Sequence, residues 1–151
     1  MRALSAHDAG AARALVQSAY GRTRHLARTL ELVELALTGN DPESVGLACV
    51  VADDSLAGLL LYGTIGGAVG VIKVHALLGE TVEELASLID ALRSVCDARM
   101  FVCELSDERT HALASRALAS HGFMCEGRIA DYFSEGVALD LLVLRGARGQ
   151  E

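Results

Sequence analysis

A chain of 151 residues, 52% apolar and 22% charged, with one proline and 15 glycines, has the size and make-up of a single globular domain spanning residues 1–151. Such proportions exclude long disordered tails and repeat arrays. Twenty acidic residues against 13 basic ones leave a formal charge of −7, and Arg22, Arg24 and Arg28 form the one local basic group, so a nucleic-acid partner is not expected.

From the N-terminus, Arg2–Leu4 reads as a short strand. Ser5 and Asp8 make a capping-box pattern ahead of a helix carrying Ala12, Leu15, Val16 and Ala19 at i, i+3, i+4, i+7 spacing and ending at Tyr20-Gly21. A second helix, from about Thr23 to Thr38, places Leu26, Leu30, Val33 and Leu37 on one stripe and stops at Gly39-Asn40. Val45–Ala52, Leu56–Tyr62 and Gly70–Leu78 then read as an antiparallel meander. The uncharged stretch from Ser55 to Ile72 falls within it and holds five glycines, so it reads as two strands around a turn and not as a membrane span.

Thr81 and Glu84 form another capping box, opening a helix with Val82, Leu85, Leu88, Ile89, Leu92 and Val95 at helical spacing. Met100–Leu105 is a strand. Ser106 or Asp107 caps a fourth helix that Gly122 stops, and strands near Phe123–Ile129 and Leu139–Arg145 close the order βααβββαβαββ. The fold class is α/β (α+β): a mixed, mostly antiparallel central sheet with helices on both faces. Cys49, Cys96, Cys103 and Cys125 show no Cys-x-x-Cys spacing and read as reduced, mostly buried thiols. With no apolar leader in MRALSAHDAG, the expected location is the cytoplasm. A mean hydropathy of +0.35 makes a homodimer the expected assembly.

Several segments resemble the GNAT superfamily of acetyl-CoA-dependent N-acetyltransferases over nearly the whole chain. Glu104-Leu105-Ser106, His121-Gly122-Phe123 and Arg128-Ile129-Ala130-Asp131-Tyr132-Phe133-x-x-Gly136 look like that family's E-T-S, L-G-F and R-I-x-D-F-Y-x-x-G segments. Leu60-Leu61-Tyr62-Gly63 before a glycine-rich turn is similar too. The resemblance implies that the fourth and fifth strands splay and that acetyl-CoA lays its pantetheine arm in the gap. It also implies a diphosphate seated on backbone N–H groups at the start of the third helix, where unpaired amides and the helix dipole suit an anion. Leu77, Leu78, Gly79 and Thr81 are the cofactor-binding residues so implied. The Tyr132-Phe133 segment would lie beside an acceptor that is a small-molecule or peptide amine.

Two positions depart from the family pattern. The family's Q/R-x-x-G-x-G/A loop is replaced by Leu78-Gly79-Glu80-Thr81-Val82-Glu83-Glu84, whose three carboxylates crowd the place of the diphosphate. At ~6 Å and an effective dielectric of ~20, each repels a unit charge by roughly 2–3 kcal/mol. The tyrosine that many members carry a few residues before L-G-F is here Leu118, which has no proton to give.

Alternation along the fourth strand predicts Lys73, His75 and Leu77 on one face and Ile72, Val74, Ala76 and Leu78 on the other. Lys73 is the sole lysine, and an ammonium inside a sheet needs a partner. Glu104, on the strand expected beside it, is the candidate. One reading is catalytic: His75 takes a proton from an amine, Glu104 or Lys73 tunes it, Tyr132 protonates a departing thiolate, and Lys73, Glu104 and Phe133 hold the acceptor. The alternative is a structural ion pair, a satisfied histidine and aromatics that cover the sheet. His25 and His111 read as solvated helix residues. No pair of histidines has the spacing of a metal site, so no metal is expected. Two functions therefore stand: an N-acetyltransferase moving an acyl group from acyl-CoA to an amine, or a catalytically inactive small-molecule-binding or dimerisation module on the same fold.

Overall fold

The computed structural model describes residues 1–20, 24–106 and 111–146. Gly21, Arg22, Thr23, Asp107 and the side chains of Arg24, His25 and His111 lie outside the described residues, and with them the expectations placed there. The elements are β1 (Arg2–Ala3), a 3-10 turn (Ala6–Asp8), α1 (Ala9–Tyr20), α2 (Arg24–Thr38), β2 (Val45–Val50), β3 (Leu56–Ile65) and β4 (Ala68–Leu78). There follow α3 (Val82–Val95), β5 (Met100–Ser106), α4 (His111–Ser120), β6 (Met124–Ser134) and β7 (Val137–Arg145). The sheet order is β1-β2-β3-β4-β5-β7-β6. Among these pairings only β4 and β5 run parallel, because α3 carries the chain back across the sheet between them.

Helices cover both faces, as expected. Leu85, Leu88, Ile89 and Leu92 of α3, with Ala114, Ala117 and Leu118 of α4, pack on Leu60, Val74, Leu77, Phe101, Cys103 and Leu142. On the other face Ala12, Val16 and Ala19 of α1 and Leu32, Val33 and Ala36 of α2 pack on Ala48, Leu59, Leu61, Ala76 and Leu78. A strand sandwiched in this way must be apolar on both sides, and Leu59, Leu60 and Leu61 are all fully buried.

Three irregularities shape the middle of the sheet. Leu61 pairs with Ala76 but Tyr62 pairs with Val74, so His75 is the extra residue of a β-bulge on β4. The bulge overturns the predicted alternation. Leu77 joins Val74 on the α3/α4 face, while Ala76 and Leu78 lie on the α1/α2 face, the side on which Lys73 and His75 meet α2. Next, β4 and β5 pair only over Val71–Val74 and Met100–Cys103. Beyond that point residues 76–78 pair with β3 alone and Glu104–Ser106 with β7 alone, leaving a gap between the two strands. Finally, β6 runs on to Ser134 and not only to Ile129. It buckles between the pairs Ile129↔Leu139 and Ser134↔Val137, where Asp131 adopts φ 53° and its carboxylate accepts the Gly136 amide at 2.7 Å.

All four cysteines are free, and only Cys103 is buried; Cys49 and Cys96 are half-buried and Cys125 is exposed. The expectation of mostly buried thiols fails for Cys125 because it sits on β6, an edge strand most of whose residues face solvent.

A carboxylate clasp ties the N-terminus down. Arg2 donates both terminal nitrogens to buried Asp8, at 2.7 and 2.8 Å, and the Ser5 amide donates to the same carboxylate at 2.9 Å. The Arg2 guanidinium beside Asp8 holds its carboxyl well below the usual carboxylate range. Replacement of Asp8 by alanine is expected to cost about 2–3 kcal/mol in chemical denaturation. Because the folded-state pKa is depressed, the contribution of Asp8 is full above about pH 4 and declines as pH falls below that range. The gap between wild-type and Asp8→Ala stabilities should therefore shrink on acidification.

Candidate active site

Where β4 and β5 part, a cavity of about 300 Å³ opens on the α2 side. Lys73, Val74 and His75 of β4, Glu104 of β5, and Tyr132 and Phe133 of β6 meet there with Arg28, Thr29 and Leu32 of α2. Five residues singled out from the sequence, Lys73, His75, Glu104, Tyr132 and Phe133, are thus brought together.

Lys73 Nζ lies 3.0 Å from Glu104 Oε2, with the two side chains 29% and 36% exposed. A partly solvated pair of this kind adds at most about 1 kcal/mol to stability. Its place matters more than its strength: Lys73 is in the last paired stretch of the parallel strands, and Glu104 is the first β5 residue beyond it.

His75 owes its setting to the bulge and to the loop entering β2. Its Nε2 lies 2.9 Å from the Glu43 carbonyl oxygen. A carbonyl can only accept, so Nε2 carries the hydrogen, and in the neutral ring Nδ1 keeps a lone pair. Nδ1 has no hydrogen-bond partner among the described residues. Burial pushes the His75 pKa below its ordinary value, and Lys73 and Arg28 push the same way, against the Glu43 carbonyl and Glu104. The ring is therefore neutral at pH 7.

Glu43 is held close by its own contacts. Its amide donates to Asp41 Oδ1 at 2.9 Å, Ser44 Oγ donates to the Leu32 carbonyl at 2.6 Å, and the Thr64 amide donates to the Pro42 carbonyl at 3.1 Å. Tyr132 and Phe133 stand edge to face with ring centres 5.0 Å apart. The buckle in β6 carries both to the cavity rim, and Tyr132 is 55% exposed. Sequence reasoning misses Thr29, Leu32 and the Glu43 carbonyl. The first two belong to the apolar side of α2, and a backbone carbonyl leaves no residue signature.

The residues expected to hold a cofactor are split. Leu77 is buried on the far face. Leu78, Gly79 and Glu80 line a second cavity of about 300 Å³ with Leu15, Ser18 and Ala19 of α1 and Leu113 of α4. Thr81 caps α3, its hydroxyl accepting the Glu84 amide at 3.2 Å. Glu84 Oε2 in turn accepts the amides of Glu80 and Thr81, at 2.9 and 3.2 Å. Two of the N–H groups that a bound anion would need already carry the chain's own carboxylate, with Glu80 and Glu83 alongside. The diphosphate of coenzyme A does not fit these residues. Leu118 is fully buried in the α3/α4 core, out of play as a proton donor.

Among the described residues no group of three or more His, Cys, Asp or Glu could hold a metal ion, and no helix is long and apolar enough to cross a membrane.

The sequence matches no protein-family model and none of the curated proteins. Solved structures do match. A Desulfovibrio desulfuricans protein assigned to the GNAT family of acetyltransferases superposes with a TM-score of 0.73 at 21% identity, over 95% of this chain and 96% of that one. A ribosomal-protein-alanine N-acetyltransferase from Brucella melitensis gives 0.69 at 14% identity, over 96% and 98%. A mutant form of the spermidine/spermine N-acetyltransferase of Vibrio cholerae gives 0.71 at 13% identity, over 97% and 93%. The chain has the GNAT fold.

Proposed function

We propose that the cleft where β4 and β5 part transfers an acyl group to an amine. The observation that carries this reading is His75: a neutral imidazole with one nitrogen tied to Glu43 and the other without a partner among the described residues, beside the Lys73–Glu104 pair. The acceptors named for similar structures, spermidine/spermine and the alanine of a ribosomal protein, share an amine, which supports the same chemistry.

The amine nitrogen attacks the carbonyl carbon of an activated acyl donor, taken here as a thioester. His75 Nδ1 accepts the proton that the attacking nitrogen must lose. The tetrahedral intermediate collapses, the carbon–sulfur bond breaks, and the thiolate takes a proton from the Tyr132 hydroxyl, leaving an amide and a thiol; the proton on His75 then passes through solvent to the Tyr132 phenolate, restoring both groups. Lys73 and Glu104 hold the acceptor, and Phe133 fixes the Tyr132 ring. Positioning supplies most of the rate, since holding two reactants in register replaces a bimolecular encounter.

A second reading, a binding module without catalysis, draws its support from the carboxylate of Glu84 occupying the anion seat. The test is a panel of amines, from simple alkylamines to amino acids and amino sugars, with an acetyl thioester and mass-spectrometric detection of the amide. Amide formed by the wild type and reduced about tenfold or more in Tyr132→Phe is the expected result. If no amine is acylated while some amines still raise the thermal midpoint, the binding-module reading replaces this one.

A further inference from the structure

Beyond the parting of the strands, β4 has β3 on one side and, among the described residues, no strand on the other. A free strand edge offers a row of N–H and C=O groups, and a linear ligand carrying secondary amides can pair with it as an added strand would. From His75 to Leu78 this edge runs about 10 Å at ~3.3 Å per residue. It leads from the cavity of Lys73, His75 and Glu104 to the second cavity, walled mainly by Leu15, Ala19, Leu78 and Leu113, with Ser18 and Glu80 on its polar side. Among the described residues, no arginine or lysine lines that second cavity. At its mouth the amides of Glu80 and Thr81 are taken by Glu84. An amide-bearing arm with apolar stretches suits every part of this path; a diphosphate at its far end suits none.

We infer that the acyl donor is a thioester on a pantetheine-like arm that lacks a diphosphate, threaded along the free edge of β4 with its sulfur end at His75. This rests on the acylation reading and narrows its donor. Glu84, together with Glu80 and Glu83, sets the selectivity by occupying and repelling, a device that weakens the wrong ligand more than it strengthens the right one. The arm leaves as a free thiol after transfer, so no reductant or other co-reactant is required.

Calorimetric titration of the wild type and of a double variant, Glu83→Gln/Glu84→Gln, with pantetheine and with coenzyme A separates the possibilities. The Glu84→Gln substitution retains a side-chain oxygen for the cap, and the thermal midpoint of the variant checks its folding. The expected result is that the wild type binds coenzyme A no more than about threefold tighter than pantetheine. The double variant should gain about tenfold or more for coenzyme A and stay unchanged for pantetheine. Coenzyme A binding the wild type about tenfold or more tighter than pantetheine overturns the inference and leaves the acylation reading intact. Acylation from a short thioester such as S-acetyl-N-acetylcysteamine, with no binding of pantetheine, overturns the inference in the same way. If no thioester of any kind acylates an amine, the acylation reading fails and the donor assignment falls with it.

Discussion

Replacing Gly63 with alanine is expected to lower stability by roughly 3–4 kcal/mol, a drop of about 10 °C in thermal midpoint for a domain of this size. A Cβ at Gly63 would lie 1.9 Å from the Glu43 carbonyl oxygen, 2.3 Å from its carbon and 2.9 Å from its Cα. These are backbone atoms, and no side-chain rotation relieves the clash. The 41–44 loop would have to lift off β3, and the Thr64–Pro42 and Ser44–Leu32 hydrogen bonds would go with it, each at about 1 kcal/mol. The Glu43 carbonyl would also leave His75, so any residual folded protein should lose activity in excess of its loss of stability. Thermal denaturation by circular dichroism checks this. An unchanged midpoint would mean that the loop does not pass over Gly63 as described.

The second large effect falls on His75 itself. His75→Gln keeps an N–H donor for the Glu43 carbonyl but removes the basic Nδ1, and the loss of a general base lowers kcat/KM by about 10²–10⁴. The ratio of wild-type to variant kcat/KM cancels the titration of the amine acceptor. That ratio should be constant above about pH 6.5 and fall toward one as the pH drops through the folded-state pKa of His75, which burial has placed below 6.5. Stability follows the same sign. The unfolded histidine takes up a proton at a higher pH than the folded one, so the contribution of neutral His75 is full above about pH 6.5 and declines on acidification. A ratio that stays flat as the pH falls through the midpoint that His75 itself shows by NMR would exclude His75 as the proton acceptor.

Much of this is legible in the sequence because local and global signals agree. α3 can be read from Thr81, Glu84 and a run of leucines at helical spacing, and the structure starts and stops it at the same residues. The Lys73–Glu104 pair follows from a lone lysine in an apolar strand. The bulge at His75 cannot be read: Ile72 to Leu78 contains no glycine or proline to mark it, and the extra residue exists only in the pairing with β3. With the bulge unseen, simple alternation puts Leu77 on the wrong face. The course of β6 past Ile129 is hidden for a related reason, since Asp131 at positive φ breaks the alternation by which a strand is recognised. Glu43 enters through its backbone carbonyl, and carbonyls are identical in every residue. Helix periodicity and charge need only the sequence neighbourhood; register and backbone contacts need the partner strand.

The measurement that bears most directly on the site is the tautomer and titration of His75, followed by long-range ¹H–¹⁵N NMR and assigned with His75→Gln. The account requires a neutral ring protonated at Nε2 near pH 7, with a midpoint below 6.5. A proton on Nδ1 in the neutral ring, or a midpoint above 6.5, would contradict it.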